Sequence, residues 1–388
     1  MLIYIVILLI LIYLSYWNDY KGHTAKFDSQ YRWTMIMLIL LAGLRNHVGS
    51  DSIGYEHNFE DIHLLFRNVK SVKDIFTISQ PFWNLSLYLV KITTDSFVVF
   101  QFFHAIVLNV LVFRFVKKVT PYCFTAITFF FIMSWWNLSF EVLRESICVA
   151  LFLNATLELN ERKYKNYIIY ALIATFYHWF AFIPFLLQPF LMFANRRLVY
   201  VSFAAVCAFA LFILDADTIN SMLLLATSDN DSEAARRMMT YTMDYSRYSF
   251  TNINLMGLIK LLLLDVLFPV MLIRRNKDDK YSDLLNTMCL LFVFFSIMAT
   301  KIIISGRFCN YYIIPVCVVS SMVIYQNRKT LSNTIVSGLL VLNLLFTLRT
   351  FYLPDNPNMN INYDCRYIPY TTIFQDPDPV RERYYGTY

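Results

Sequence analysis

The feature that most constrains this chain is that apolar stretches long enough to cross about 30 Å of hydrocarbon recur from one end to the other. The first is MLIYIVILLILIYLSYW, residues 1–17. Hydrophobic residues make up 58% of the 388 and charged residues only 15%, against about 25% charged in soluble domains. A soluble globular fold is thereby excluded, and the expected fold class is an all-α polytopic membrane protein. The N-terminal run lacks both a positive leading region and a small-residue cleavage site. It reads as a first membrane helix and not as a removed signal.

Apolar runs fall near 2–17, 33–45, 96–116, 121–136, 138–159, 166–193, 198–214, 252–273, 282–304, 308–325 and 331–350. Basic clusters at Lys21/Lys26/Arg32, Lys117/Lys118, Arg162/Lys163/Lys165, Arg196/Arg197, Arg274/Arg275/Lys277 and Arg328/Lys329 belong on the cytoplasmic side by the positive-inside rule. Parity then requires two crossings between residues 32 and 117, which 33–45 and 96–116 supply. Residues 46–95 become one external excursion, and the apolar patch FWNLSLYLV (82–90) is interfacial or re-entrant, not spanning. The same reasoning makes 166–193 a hairpin of two short helices broken near His178 and Pro184, its tip facing outward. The expectation is about 11–12 membrane segments in one integral domain, 1–350, with re-entrant or short helices. Long external regions are expected at 46–95 and 215–251, with an external tail at 351–388. A GT-C-like architecture is compatible with this plan.

Seven cysteines stand singly, with no CxxC and no Cys/His cluster, so neither a zinc site nor a disulfide framework is indicated. The net charge of +6 is carried by the loop lysines and arginines that set topology, and nothing calls for nucleic acid. No phosphate-binding or dinucleotide fingerprint and no carboxylate cluster appears, so no cofactor and no metal are expected.

Ionisable residues inside membrane segments are costly and mark candidate functional positions. In SFEVLRES (139–146), Glu141, Arg144 and Glu145 share one helix face. Either they neutralise one another, or the carboxylates hold the Arg144 guanidinium, a planar fork suited to phosphate, toward an anionic ligand. His178, in FYHWFAFIPF, is either a satisfied core histidine or a general base at the hairpin tip. In ATKIIISGRFCNYY (299–312), Lys301 can snorkel to the interface, whereas Arg307, opening the next span before Tyr311, points to an anion contact. Lys260 and Asp265 read as a structural pair. The densest stretch is GLRNHVGSDSIGYEHNFEDI (43–62), with three of the eight glycines. Gly43, Gly49 and Gly54 there would permit tight turns and close approach. Arg45 ends a span, and Asp51 and Tyr55 offer hydrogen bonds suited to sugar hydroxyls. A merely solvated polar loop is the competing reading.

The pattern R-N-x-V-G-S-D-x-x-x-Y, at Arg45, Val48, Gly49, Asp51 and Tyr55, resembles the R-x-x-V-G-T-D-x-x-x-Y hallmark of EpsG-like polysaccharide polymerases, relatives of the Wzy O-antigen polymerases. The resemblance continues in order through LRESICVALFL, the span bearing His178, GRFCNYY and Ile368-Pro369-Tyr370. Ser50 stands where relatives carry Thr, and Glu145 where they commonly carry Gln. The resemblance implies glycosyl transfer at the periplasmic or external face of a bacterial inner membrane. A growing glycan on undecaprenyl diphosphate passes to a lipid-linked repeat unit, so the partners are lipid-linked oligosaccharides, as donor and acceptor, and membrane lipids. Whether a chain-length regulator protein takes part is left open. On this reading Arg45, Arg144 and Arg307 bind the diphosphate. His178 is the first candidate for the base and Asp51 the second. Tyr55, Glu141 and Tyr311 line the substrate, and the tyrosines of 215–251 could add sugar-binding surface. The alternatives are a membrane O-acyltransferase acting on surface glycans and a lipid-linked oligosaccharide flippase or other transporter.

Overall fold

A computed structural model describes residues 2–67, 69–193, 201–203, 205–207, 255–275, 280–302, 304–326, 331–352 and 365–386. The fold is all-α. Among the described residues the backbone pairing of extended type is an isolated antiparallel bridge between Arg45 and Thr372. The region 215–251 lies outside the described residues, as does most of the 198–214 run. The chain divides into two compact units, Met1–Phe185 with Leu344–Tyr388, and Leu186–Asn343.

In the first unit, α1 (Leu2–Leu14) runs on through a π-helical turn, Ser15–Tyr20, and α2 spans Phe27–Gly43. Three short helices follow, α3 (Ser52–Glu60), α4 (Ile62–Phe66) and α5 (Val72–Thr77), and then α6 (Pro81–Thr94). Next come α7 (Phe97–Val119), α8 (Cys123–Met133), a π turn at Asn137–Glu141, α9 (Leu143–Asn160) and α10 (Tyr164–Tyr177). A single 3₁₀ turn, Trp179–Ala181, leads to α11 (Phe182–Phe193), which passes into the second unit at Leu186. Leu2–Tyr20 and Phe97–Val119 are long and apolar enough to cross a membrane, as are Leu255–Arg274 and Ser305–Tyr325 of the second unit. Cys123–Met133, Trp179–Met192, Ser282–Met298 and Ser337–Arg349 are shorter apolar helices.

Ion pairs support the parity argument. Lys117 Nζ reaches Asp28 at 2.6 Å and Lys118 Nζ reaches Glu161 at 3.6 Å, so the first three basic clusters gather at one end of the unit. Residues 44–95 therefore leave and re-enter at the opposite end. At about 1.5 Å per residue α6 is about 21 Å long, too short for a full crossing. It lies against α4, α7 and α10 instead. Phe59, Trp83, Phe97, Phe100 and Leu143 are among the buried side chains that join α3, α6, α7 and the start of α9 in one core. Outside the hydrocarbon, burying such a side chain stabilises by about 1.5–3 kcal/mol, so the excursion is a folded cap. The expected hairpin at 166–193 breaks at His178, which adopts an extended backbone between α10 and the 3₁₀ turn. Its arms fold back, since the Tyr167 hydroxyl donates to the Phe185 carbonyl at 2.5 Å.

Residues 365–386 of the tail are packed against this cap. Asp378 caps the last helix, α17 (Pro379–Tyr385), by accepting from the Val380 and Arg381 amides. The buried Arg381 guanidinium donates to the carbonyls of Cys365 (2.8 Å) and Pro369 (2.6 Å) and to Thr371 Oγ1 (3.1 Å).

The second unit contains α12 (Leu255–Ile259), continued by a π stretch Lys260–Leu267 and α13 (Phe268–Arg275), then α14 (Ser282–Met298), α15 (Ser305–Gln326) and the first part of α16 (Leu331–Tyr352). Lys260 Nζ pairs with Asp265 at 2.9 Å, the structural pairing expected for both. The π geometry explains it, because a wider turn aligns residues five apart on one face. Phe295 on α14 packs against Phe308 (4.9 Å) and Tyr312 (5.7 Å) on α15.

Arg381 is a test of the tail's role in this cap. Arg381→Ala leaves three buried acceptors without their donor, a loss of about 3 kcal/mol or more. Limited proteolysis of the detergent-solubilised protein should then cut 365–386 rapidly while the remaining helices stay resistant. Equal resistance in variant and parent would show the tail is held by other contacts.

Candidate functional site

The stretch 44–51 is stitched to the tail through its backbone. The Ile373 amide donates to the Leu44 carbonyl (2.9 Å), Asn46 to Thr371 (2.9 Å) and Gly49 to Arg366 (2.8 Å). Gly49 makes the turn. Its φ is +110°, and a Cβ there would lie 2.7 Å from the Phe140 carbonyl oxygen, so glycine alone fits. Gly54, expected to assist turning, sits instead within α3 with open space where a side chain would go.

Arg45 follows the end of α2 and is only 1% exposed. Its Nη1 donates to the Ala42 carbonyl, and its guanidinium lies 5.1 Å from the centre of the Phe140 ring. Nε and Nη2 have no protein acceptor. Burial lowers its pKa to about 10, with Tyr370, Glu141, Tyr4 and Tyr55 pulling the other way, so it stays cationic at neutral pH. Gln101 Nε2 supports the backbone here, donating to the carbonyls of Gly43 (3.1 Å) and Arg45 (2.8 Å).

Glu141 closes the π turn before α9 and faces the Arg45–Asp51 stretch. It accepts from the Ser50 amide (3.1 Å), the Ser50 hydroxyl and the Asp51 amide (3.3 Å). These hydrogen bonds hold the loop, not the Arg144 guanidinium. Arg144, half-buried in the first turn of α9, donates from Nη1 to Gln80 Oε1 at 3.0 Å and lies 5.8 Å from the Tyr55 ring centre. Burial pushes the Tyr55 hydroxyl up to about 12 against the opposing pull of Arg144. Tyr55 is fixed edge-on against Trp83 at 5.6 Å. Asp51 is exposed at the N-terminus of α3. The structure thus gathers Arg45, Asp51, Tyr55, Glu141 and Arg144 around one turn in the first unit.

His178 is 8% exposed in the α10–α11 hinge. Its Nδ1 accepts from the Phe180 amide at 3.3 Å. The hinge reaches the same region through Phe82, which packs on Phe176 (5.1 Å) and Tyr177 (6.4 Å) two residues after Gln80. Arg307, half-buried, and Tyr311, buried, occupy the first two turns of α15 in the second unit.

Several participants were not legible in the sequence. Gln80 holds Arg144 from a left-handed backbone at the N-cap of α6, followed by Pro81 at the first helical position. Its only signal is that glutamine precedes a helix-starting proline. Phe140, which supports Arg45 and contacts Gly49, looks like any apolar residue. His47 bridges Glu56 on α3 and Glu382 on α17, and a partner 335 residues away leaves no local trace.

These features define a class, a polytopic helical membrane protein with a cationic, partly buried polar site at one end of its first unit. The chain belongs to the EpsG family, whose model matches residues 30–372, and it is thereby linked to exopolysaccharide synthesis. No curated protein and no solved structure is detectably similar to it.

Two outcomes follow from this geometry. Gly49→Ala should destabilise by about 1–3 kcal/mol through strain at a positive φ. Gly54→Ala should be neutral or stabilising by up to about 1 kcal/mol, as for a helical glycine. Thermal unfolding of both variants in detergent measures the contrast.

His47 generates a pH dependence. Burial lowers its pKa, but hydrogen bonds and charge from Glu56 and Glu382 outweigh that and leave it raised. A raised folded pKa means its stabilisation is complete below its ordinary value of about 6.5 and is lost as pH rises through the folded value. The tail should therefore grow more protease-sensitive between near-neutral and alkaline pH. His47→Gln should flatten that change.

Proposed function

We propose that the protein is a bacterial inner-membrane polysaccharide polymerase, with the site just described facing the periplasm or exterior. It transfers a growing glycan from undecaprenyl diphosphate onto the non-reducing end of a lipid-linked repeat unit. In the transfer, an acceptor hydroxyl oxygen bonds to the anomeric carbon of the donor glycan. The bond from that carbon to the diphosphate oxygen breaks, and the diphosphate leaves with the electron pair. The hydroxyl proton passes to a base.

The observation that carries this reading is the placing of Arg144. It is half-buried, and Gln80 and the Tyr55 ring hold its planar fork at the edge of the family hallmark. A fixed guanidinium suits a diphosphate leaving group, because preorganised charge stabilises developing charge without further rearrangement. Asp51 is the better candidate for the base. Its carboxylate is exposed beside Tyr55 and its amide is fixed by Glu141. His178 accepts at Nδ1 from the Phe180 amide and is the second candidate for the base. Glu141 positions the Ser50–Asp51 turn. Arg307 and Tyr311 are proposed to bind phosphate and sugar within the second unit.

Single substitutions in the native host test the reading. Arg144→Ala should reduce polymerisation by about 10²–10³-fold, the loss typical of one transition-state donor. Asp51→Asn should lose about 10²–10⁴-fold as expected for a general base. Both should leave single repeat units exported and attached. Complete loss of export would indicate a flippase, and full-length chains lacking acetyl groups an acyltransferase. Normal chains in both variants would sink the assignment.

A further inference from the structure

The face of α7 that supports the hallmark stretch also meets the helix that carries Arg144. Gln101 donates from Nε2 to the carbonyls of Gly43 (3.1 Å) and Arg45 (2.8 Å). His104 lies three residues on, one turn along the same face of α7. Its Nε2 is 3.0 Å from the Leu143 carbonyl oxygen and 2.8 Å from Ser146 Oγ, at the start of α9. Both α7 side chains are buried. An ionisable side chain inside a candidate span is costly and calls for a use.

The hydrogen-bond pattern fixes which nitrogen works. A carbonyl oxygen can only accept, so His104 Nε2 carries the hydrogen. The Ser146 hydroxyl donates to the same carbonyl at 2.9 Å and accepts from that N–H. His104 Nδ1 is buried with no partner among the described residues. The bonded carbonyl lies at a break in the chain. The π turn ends at Glu141, Val142 has φ −95° and ψ 56°, outside the helical region, and α9 starts at Leu143. The break frees the direction of α9 from that of the π turn, so contacts from outside must set it. His104 supplies one between Glu141, which holds the Ser50–Asp51 turn, and Arg144.

We infer that His104 is a positioning residue for the transfer. By fastening the Leu143 carbonyl to α7, it sets where Arg144 stands relative to the Arg45–Asp51 turn, which Gln101 fastens to the same helix. Gln80 and the Tyr55 ring direct the guanidinium end of Arg144, and His104 directs the backbone from which it springs. The inference rests on the polymerase reading and deepens it, because a fixed cation serves a leaving diphosphate only where its place is held.

Variants of the full-length protein test this, with polymerisation read per amount of folded protein. His104→Leu keeps the volume and removes the N–H. It should cut polymerisation by about tenfold to 10²-fold, the scale of a misplacement of about 1 Å. His104→Gln, whose amide nitrogen reaches the Nε2 position, should restore most of it. His104→Asn, whose amide nitrogen matches Nδ1, should not, and it replaces His104→Leu in the comparison if that variant does not accumulate. Parental chain lengths in His104→Leu, or equal losses in the Gln and Leu variants, would overturn the proposal. Added to Arg144→Ala, His104→Leu should cause no further loss, because residues acting through one another are not additive. Losses that multiply would overturn action through Arg144. Amide hydrogen exchange of residues 142–147 in detergent reports the hold on α9 without reference to the reaction. It should accelerate in His104→Leu and return to the parental rate in His104→Gln, and an unchanged rate in His104→Leu would overturn the proposal. If exchange responds in this way while Arg144→Ala leaves full-length chains, the polymerase reading fails and the hold of His104 on α9 stands.

Discussion

The arrangement of the first unit depends on where the backbone of residues 44–51 finds its hydrogen bonds. This stretch follows the end of α2 and is partly buried, where an unpaired amide or carbonyl costs several kcal/mol. It is not helical, so it cannot satisfy itself. The tail supplies the partners, with Thr371, Arg366 and Ile373 bonding to Asn46, Gly49 and Leu44. Arg381 in turn fixes the tail by binding carbonyls at Cys365 and Pro369. Residues separated by more than 300 positions are thereby one structural element, and the hallmark turn is rigid because its far partner is.

On that frame the electrostatics divide into two roles. Glu141 gives its carboxylate to the Ser50 and Asp51 amides and so fixes a part-buried turn. Arg144, three residues on, is then directed by Gln80 and Tyr55. A carboxylate clamped to the guanidinium would have neutralised it. A neutral amide and an aromatic face orient the fork and leave its charge for another anion. Arg45 is a different kind of cation, buried and aromatic-backed, with a pKa lowered by desolvation yet still far above neutrality.

The sequence showed most of the fold because membrane insertion leaves a coarse, local record. Span length, loop charge and parity located the excursion at 46–95, and the break at His178 followed from a run too long for one pass and too short for two. Boundaries shifted where packing intervened. The run 121–136 became the 11-residue α8 followed by a π turn, because the chain bends there to bring Phe140 and Glu141 against Gly49 and Ser50. Gly49 was recognisable as a turning glycine. Gly54 was not distinguishable from it by spacing, and it proved helical.

What the sequence determined by itself is the class of the protein, the break at His178 and the identity of the hallmark residues. Each of these is written in composition, in periodicity or in a short ordered pattern. Only the tertiary structure decided what those residues do to one another. That Glu141 holds a loop and not Arg144, that Gln80 supports Arg144, and that His47 bridges α3 to a tail 335 residues away depend on which ends of which helices meet. Hydrogen bonds and close charge contacts act over about 3–6 Å, so they are set by packing. No pattern along the chain specifies that distance.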